Sequence, residues 1–71
     1  MGAAVFRVAG TGDLEAHLAA LAPITLIATS LGDATVCLLA VERDRVRALG
    51  ELARELAVRG VVTRVEAEPH L

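Results

Sequence analysis

The chain has a single cysteine, Cys37, among its 71 residues. No intramolecular disulfide can form, and no Cys/His spacing suggests a zinc site. A lone thiol fits a reducing compartment, so a cytoplasmic location is expected. Aromatic residues are reduced to Phe6. The core must therefore be built from Val, Leu, Ile and Ala, and a sheet that stacks RNA bases on aromatic rings is excluded. Lysine is absent: seven Arg stand against nine acids, for a net charge of −2. That balance lacks the basic footprint of a nucleic-acid binder. No apolar run reaches the roughly 18 residues that a membrane span requires. The start, Met1 to Arg7, lacks a basic region followed by an apolar run of roughly 7–15 residues, so no secretion signal is expected.

What is present is apolar aliphatic surface. Hydrophobic residues make up 55% of the chain, which argues for a folded domain. The length allows one domain, taken as residues 1–71. A chain this short buries only about 60% of the surface it exposes when unfolded, so the core is marginal. With no disulfide or metal staple, oligomerisation or docking onto a larger protein is the remaining route to stability.

Along the chain, Val5 to Val8 reads as a strand with Phe6 and Val8 on one side and Arg7 on the other. Gly10-Thr11-Gly12 breaks it, and Thr11 or Asp13 can cap the helix that follows. From Asp13 to Ala22, Leu14, His17, Leu18 and Leu21 fall on one helical face, and Pro23 ends the helix. Ile24 to Ser30 and Ala34 to Val41 read as strands joined by the turn Leu31-Gly32-Asp33, a hairpin. Asp44 is a candidate N-cap for a second helix with the apolar stripe Val46, Leu49, Ala53 and Leu56. Arg47–Glu51 and Glu55–Arg59 are spaced for i,i+4 pairing on its wet side. Gly60 stops this helix, and Val61 to Ala67 is a last strand before the Pro69-His70-Leu71 tail. Strand, helix, strand, strand, helix, strand with right-handed crossovers predicts an α+β, ferredoxin-like fold. Its four-stranded antiparallel sheet should carry both helices on one face.

One pattern points beyond the fold. A sheet with a solvated face should alternate apolar and polar residues. The third strand is apolar on both sides, with Val36, Leu38 and Ala40 against Cys37, Leu39 and Val41. Assigning the second set to the helix-free face, together with Ile27, predicts an interface of Ile27, Leu39 and Val41. The same surface could instead be covered by the chain's own tail.

Few residues can carry chemistry. The Gly10-Thr11-Gly12-Asp13 loop opens a helix, where backbone amides can receive an anion such as a carboxylate, or it is a plain turn and cap. It lacks the third glycine of a dinucleotide motif and the Gly-Lys-Ser/Thr of a P-loop. His17 on an apolar helical face reads as a packed residue. His70 lies in the tail, and no metal constellation joins either histidine to Cys37. Cys37, mid-strand among Val and Leu, reads as a small hydrophobe. No catalytic residue, metal ligand or cofactor is expected, so the protein is read as a non-enzyme.

Residues 24 to 36, Ile-Thr-Leu-Ile-Ala-Thr-Ser-Leu-Gly-Asp-Ala-Thr-Val, followed by Leu38-Leu39-Ala40-Val41, resemble the core of an ACT domain. The likeness is greatest to the regulatory ACT domains of aspartokinases. There an Ile-Asn-Ile strand leads to Ser-Gln-Gly, a short turn, an apolar strand and an acidic helix start. Ile24, Ser30, Gly32, Val36 and Val41 fit without a gap. Asp44 with Val46 to Leu49 fits the following helix, and Val8-Ala9-Gly10 the end of the first strand. The resemblance implies a regulatory module that pairs and binds a small effector, often an amino acid, at the interface. Its site would involve Gly10, Thr11, Gly12, Asp13, Thr25 and Ser30. Its partners would be a second copy of itself, as a homodimer, or a larger metabolic enzyme, with neither nucleic acid nor membrane involved. Thr25 and Leu31 stand where the aspartokinase pattern has Asn and Gln, and a leucine cannot hydrogen-bond an effector. The loop after the first strand is also shorter. These departures support the alternative, a ligand-free dimerisation or assembly domain with an ACT-like fold.

Overall fold

The computed structural model describes residues 2–68. The tail residues Pro69, His70 and Leu71 lie outside the described residues. Strand β1 spans Ala3–Thr11, helix α1 Leu14–Ala19, β2 Thr25–Leu31, β3 Ala34–Glu42, helix α2 Val46–Val58 and β4 Val62–Ala67. The strands form one antiparallel sheet in the order β2-β3-β1-β4. This is the α+β, ferredoxin-like βαββαβ arrangement that the order of elements predicts.

Local chemistry accounts for each boundary. The β2–β3 hairpin closes through two residues, with Gly32 at φ +63 and Asp33 in an ordinary conformation. Glycine at the first loop position fits a type II′ turn, which matches the twist of the flanking strands. Helix α2 ends in a Schellman motif. The Gly60 N–H donates to the Ala57 carbonyl (3.1 Å), the Val61 N–H donates to the Leu56 carbonyl (2.8 Å), and Gly60 takes φ +79. Helix α1 is shorter than its apolar spacing suggests. After Ala19 the chain tightens into bonds from Leu21 to Leu18 (3.1 Å) and from Ala22 to Ala19 (3.0 Å), and Ala22 turns to φ +51 ahead of Pro23. The proline disfavours a helical residue before it, so the last turn cannot remain α.

Asp44 does not cap α2. It sits in a 3-10 turn, Arg43–Arg45, and Arg45 occupies the cap position without a side-chain bond. Neither Arg47–Glu51 nor Glu55–Arg59 closes into an ion pair; the close charge pairs among the described residues are Arg7–Glu68, Arg64–Glu66 and His17–Asp13. Long exposed side chains gain too little from such pairing to hold one geometry.

The core lies between the two helices and one face of the sheet. Val8 from β1 and Cys37, Leu39 and Val41 from β3 pack with Leu14 and Leu18 of α1 and with Leu49 and Leu56 of α2. Phe6, Leu26 and Ala28 pack against its margin, as the phases of β1 and β2 require. Leu39 and Val41 are fully buried here, which corrects their expected place on the helix-free face. That face carries Val36, Leu38 and Ala40 instead. The reason is register. Arg7 pairs with Leu38 and Val8 with Cys37. Residues opposite one another share a face, so the side that solvates Arg7 also receives Leu38.

Candidate functional site

The loop between β1 and α1 is tightly built. Gly10 is buried, and a side chain there would collide with the Val61 carbonyl oxygen and press on Leu14. The Thr11 N–H already donates to that Val61 carbonyl at 2.8 Å. Asp13 holds the cap position of α1 at φ −100 and ψ 18, without a side-chain capping bond. Its carbonyl oxygen accepts from the His17 backbone N–H (3.4 Å) and lies 3.0 Å from His17 Nδ1. With Nδ1 as the donor, the imidazole folds back onto the loop, 3.9 Å from the Asp13 carboxylate. His17 is therefore a half-buried residue with a backbone partner. A helix of six residues sums few peptide dipoles, so its start attracts an anion only weakly.

The remaining predicted ligand residues fall into two places. Ser30 pairs with Thr35, which pairs with Gly10, so Ser30 lies level with the loop but two strands away. At the usual strand spacing that is about 10 Å. Its hydroxyl lies 3.4 Å from that of the buried Thr35, so the two can share a hydrogen bond. Thr25 pairs with Ala40, which pairs with Val5. It stands at the opposite end of the sheet, about 16 Å along β1 from Gly10 at ordinary strand rise. One copy of the chain thus gathers Gly10, Thr11, Gly12, Asp13 and Ser30 at one end and leaves Thr25 at the other.

An open depression of about 460 Å³ lies at the Thr25 end, lined by Gly2, Ala3, Ile24, Glu42, Arg43 and Asp44. Sequence reasoning missed it because its lining comes from three separate stretches, and Glu42-Arg43-Asp44 reads as a simple helix lead-in. Arg43 there is flanked by two carboxylates. Cys37 is buried, and its thiol is held above its ordinary range by loss of solvent and, secondarily, by the Glu15 carboxylate. That is the opposite of what an activated nucleophile needs. Among the described residues, no group of three or more His, Cys, Asp or Glu could hold a metal ion. Nor is any helix there long and apolar enough to cross a membrane.

The helix-free face divides into two halves. Its β2–β3 half presents Ile27, Leu31, Val36, Leu38 and Ala40 among Thr25 and Thr29. Ile27, predicted for this face, is 55% exposed, and Leu31 is 84% exposed. The other half carries two ion pairs beside the exposed Val5: Arg7 meets Glu68 at 3.1 Å and Arg64 meets Glu66 at 3.1 Å. Val36 and Leu38 take the places expected of Leu39 and Val41. The polar phase of Arg7, carried across to β3, is the signal that could have found them.

The class that this geometry defines is a ferredoxin-like α+β domain with an open, half-apolar sheet face. No family model, curated protein or solved structure matches the chain.

Proposed function

We propose that this chain is a non-catalytic pairing module that associates with a second copy of itself through the β2 side of its sheet. One observation carries the reading: on the open face the large apolar side chains concentrate on β2 and β3, with Val5 on β1 beside them, while ion pairs hold the β1–β4 side. Ile24, Ile27 and Leu31, the most exposed large apolar residues outside the helices, all lie on β2 or immediately before it. A short chain without staples gains stability most readily by association. The ACT-like residue pattern belongs with the same role, since those domains commonly pair. The buried lone thiol suits a reducing compartment, and a cytoplasmic location is part of the proposal.

Effector sensing, the finer function that the resemblance implies, draws less support. The loop amide of Thr11 is already bonded, and Thr25 stands far from the loop. The test is solution mass and melting temperature over about a hundredfold range of protein concentration, with and without a panel of amino acids. A dimer whose melting temperature rises with protein concentration is expected, because association stabilises by mass action. A monomer throughout would overturn the reading. A further rise with one amino acid would restore the effector role, with its site completed across two copies.

A further inference from the structure

We infer that the solvent-facing side of helix α2 docks an acidic amphipathic helix of a different protein. This surface lies across the molecule from the open sheet face, so it is separate from the pairing proposed above. The segment from Arg43 to Arg59 holds five of the seven arginines against Asp44, Glu51 and Glu55, a net +2. The rest of the chain holds two arginines against six acids, a net −4. Those two, Arg7 and Arg64, both sit in ion pairs. Among the described residues, none of the five arginines on or beside α2 does. The domain thus sets a positive helix on a negative body and leaves that helix unneutralised.

The outer face of α2 also departs from what an isolated helix favours. Arg47, Gly50, Arg54 and Val58 follow one another at steps of three and four residues, opposite the buried Leu49, Ala53 and Leu56. All four are exposed, and Val58, at 85%, is the most exposed large apolar side chain among the described residues. Gly50 stands mid-helix, where glycine is less stable than alanine, yet a methyl group there would meet nothing within 4 Å. No packing inside the domain asks for a glycine at this place; the close approach of a second backbone does. Arg45 at the cap and Arg47 in the first turn, with no acid there, add to the helix dipole instead of offsetting it. Arg47 and Arg54 lie two turns apart, about 10 Å along the axis, on either side of Gly50. A helix crossing at Gly50 can set carboxylates two turns apart against both guanidiniums. Val58, one turn further on, gives the contact an apolar end. A phosphate backbone fits less well, because Glu51 and Glu55 are exposed on the same helix and repel a continuous line of negative charge. Laying α2 on its own copy would bring two positive faces together.

Fluorescence anisotropy with two labelled synthetic helices tests this surface. One is about four turns long, with glutamates two turns apart, alanine between them and leucine at the end of the same face. The other has glutamine in place of each glutamate. The full chain should bind the glutamate helix about tenfold or more tightly than the glutamine one, and the preference should shrink as salt rises. Arg47→Glu combined with Arg54→Glu should weaken binding of the glutamate helix about tenfold or more. Gly50→Leu should weaken it by a similar factor, while circular dichroism and melting temperature show a fold at least as stable. Arg64→Gln, on the sheet, should leave it within about twofold. Equal binding of the two helices, full affinity in Gly50→Leu, or tighter binding of a single-stranded oligonucleotide would overturn the inference. So would loss of self-association in Arg47→Glu with Arg54→Glu, since α2 would then be the pairing surface itself. A monomeric wild-type chain that still prefers the glutamate helix would support the α2 surface and overturn the pairing reading alone.

Discussion

The two outer strands of this sheet are alike in length and opposite in treatment. β4 is tied inward by side chain and backbone: Thr63 Oγ1 donates to the Ala9 carbonyl (3.2 Å), and the Glu68 N–H donates to the Val5 carbonyl (2.9 Å). The Arg7–Glu68 pair and the close approach of Val61 to Gly10 continue the same seam. β2 has its ladder with β3, the Ile24 N–H on the Ala40 carbonyl (2.8 Å), and no charged residue. The difference teaches where association is blocked and where it is left open. A sheet with two charged edges would be built to stay alone, whereas this one closes a single side.

Four tests would break or sharpen that contrast. The largest effect is expected from Gly10→Ala, which attacks the β4 seam. The new methyl group meets a backbone carbonyl that cannot move without opening the strand, so a loss of about 3 kcal/mol is expected by urea denaturation. A cost below about 1 kcal/mol would mean that the seam is looser than its geometry. Next is Leu39→Ala against Leu38→Ala, adjacent residues on opposite faces of β3. The buried Leu39 should cost about 3 kcal/mol, and the half-exposed Leu38 about 1 kcal/mol or less in the monomer. Equal costs would put the face assignment in error.

Smaller is Arg7→Ala at the ionic end. Its guanidinium is half exposed, so about 0.5 kcal/mol is expected, fading at high salt as a screened surface pair should. The smallest concerns Cys37, whose folded thiol titrates above the unfolded one. Below the ordinary thiol range both states carry the proton and stability is unaffected. As pH rises past about 8.5, the unfolded state releases its proton first, so stability should decline there. Cys37→Ala should remove that component of the decline, measured as melting temperature against pH.

Much of the fold was legible because it depends on local rules. The glycine at 60 stops a helix, the glycine and aspartate at 32 and 33 turn a hairpin, and the stripe Leu49, Ala53 and Leu56 marks a helical face. These need only neighbouring residues to operate. Element ends were less legible. Thr11 continues β1 because its N–H finds the Val61 carbonyl, fifty residues away in the chain. The candidate ligand site was legible only as residue types. Whether Thr25 meets the Gly10 loop depends on the strand order, and β3 and β1 set the two at opposite ends.

The sequence alone determined the order of elements, the helix stripes, the turns and the absence of any staple. Tertiary structure alone decided which side of β3 is buried. Val36, Leu38 and Ala40 are nearly as apolar as Cys37, Leu39 and Val41, so no local preference separates the two sets. The choice came from the neighbouring strand. Arg7 must keep its charge in water, and pairing it with Leu38 turned the whole third strand, burying Leu39 and Val41 and leaving an apolar surface beside an uncharged edge.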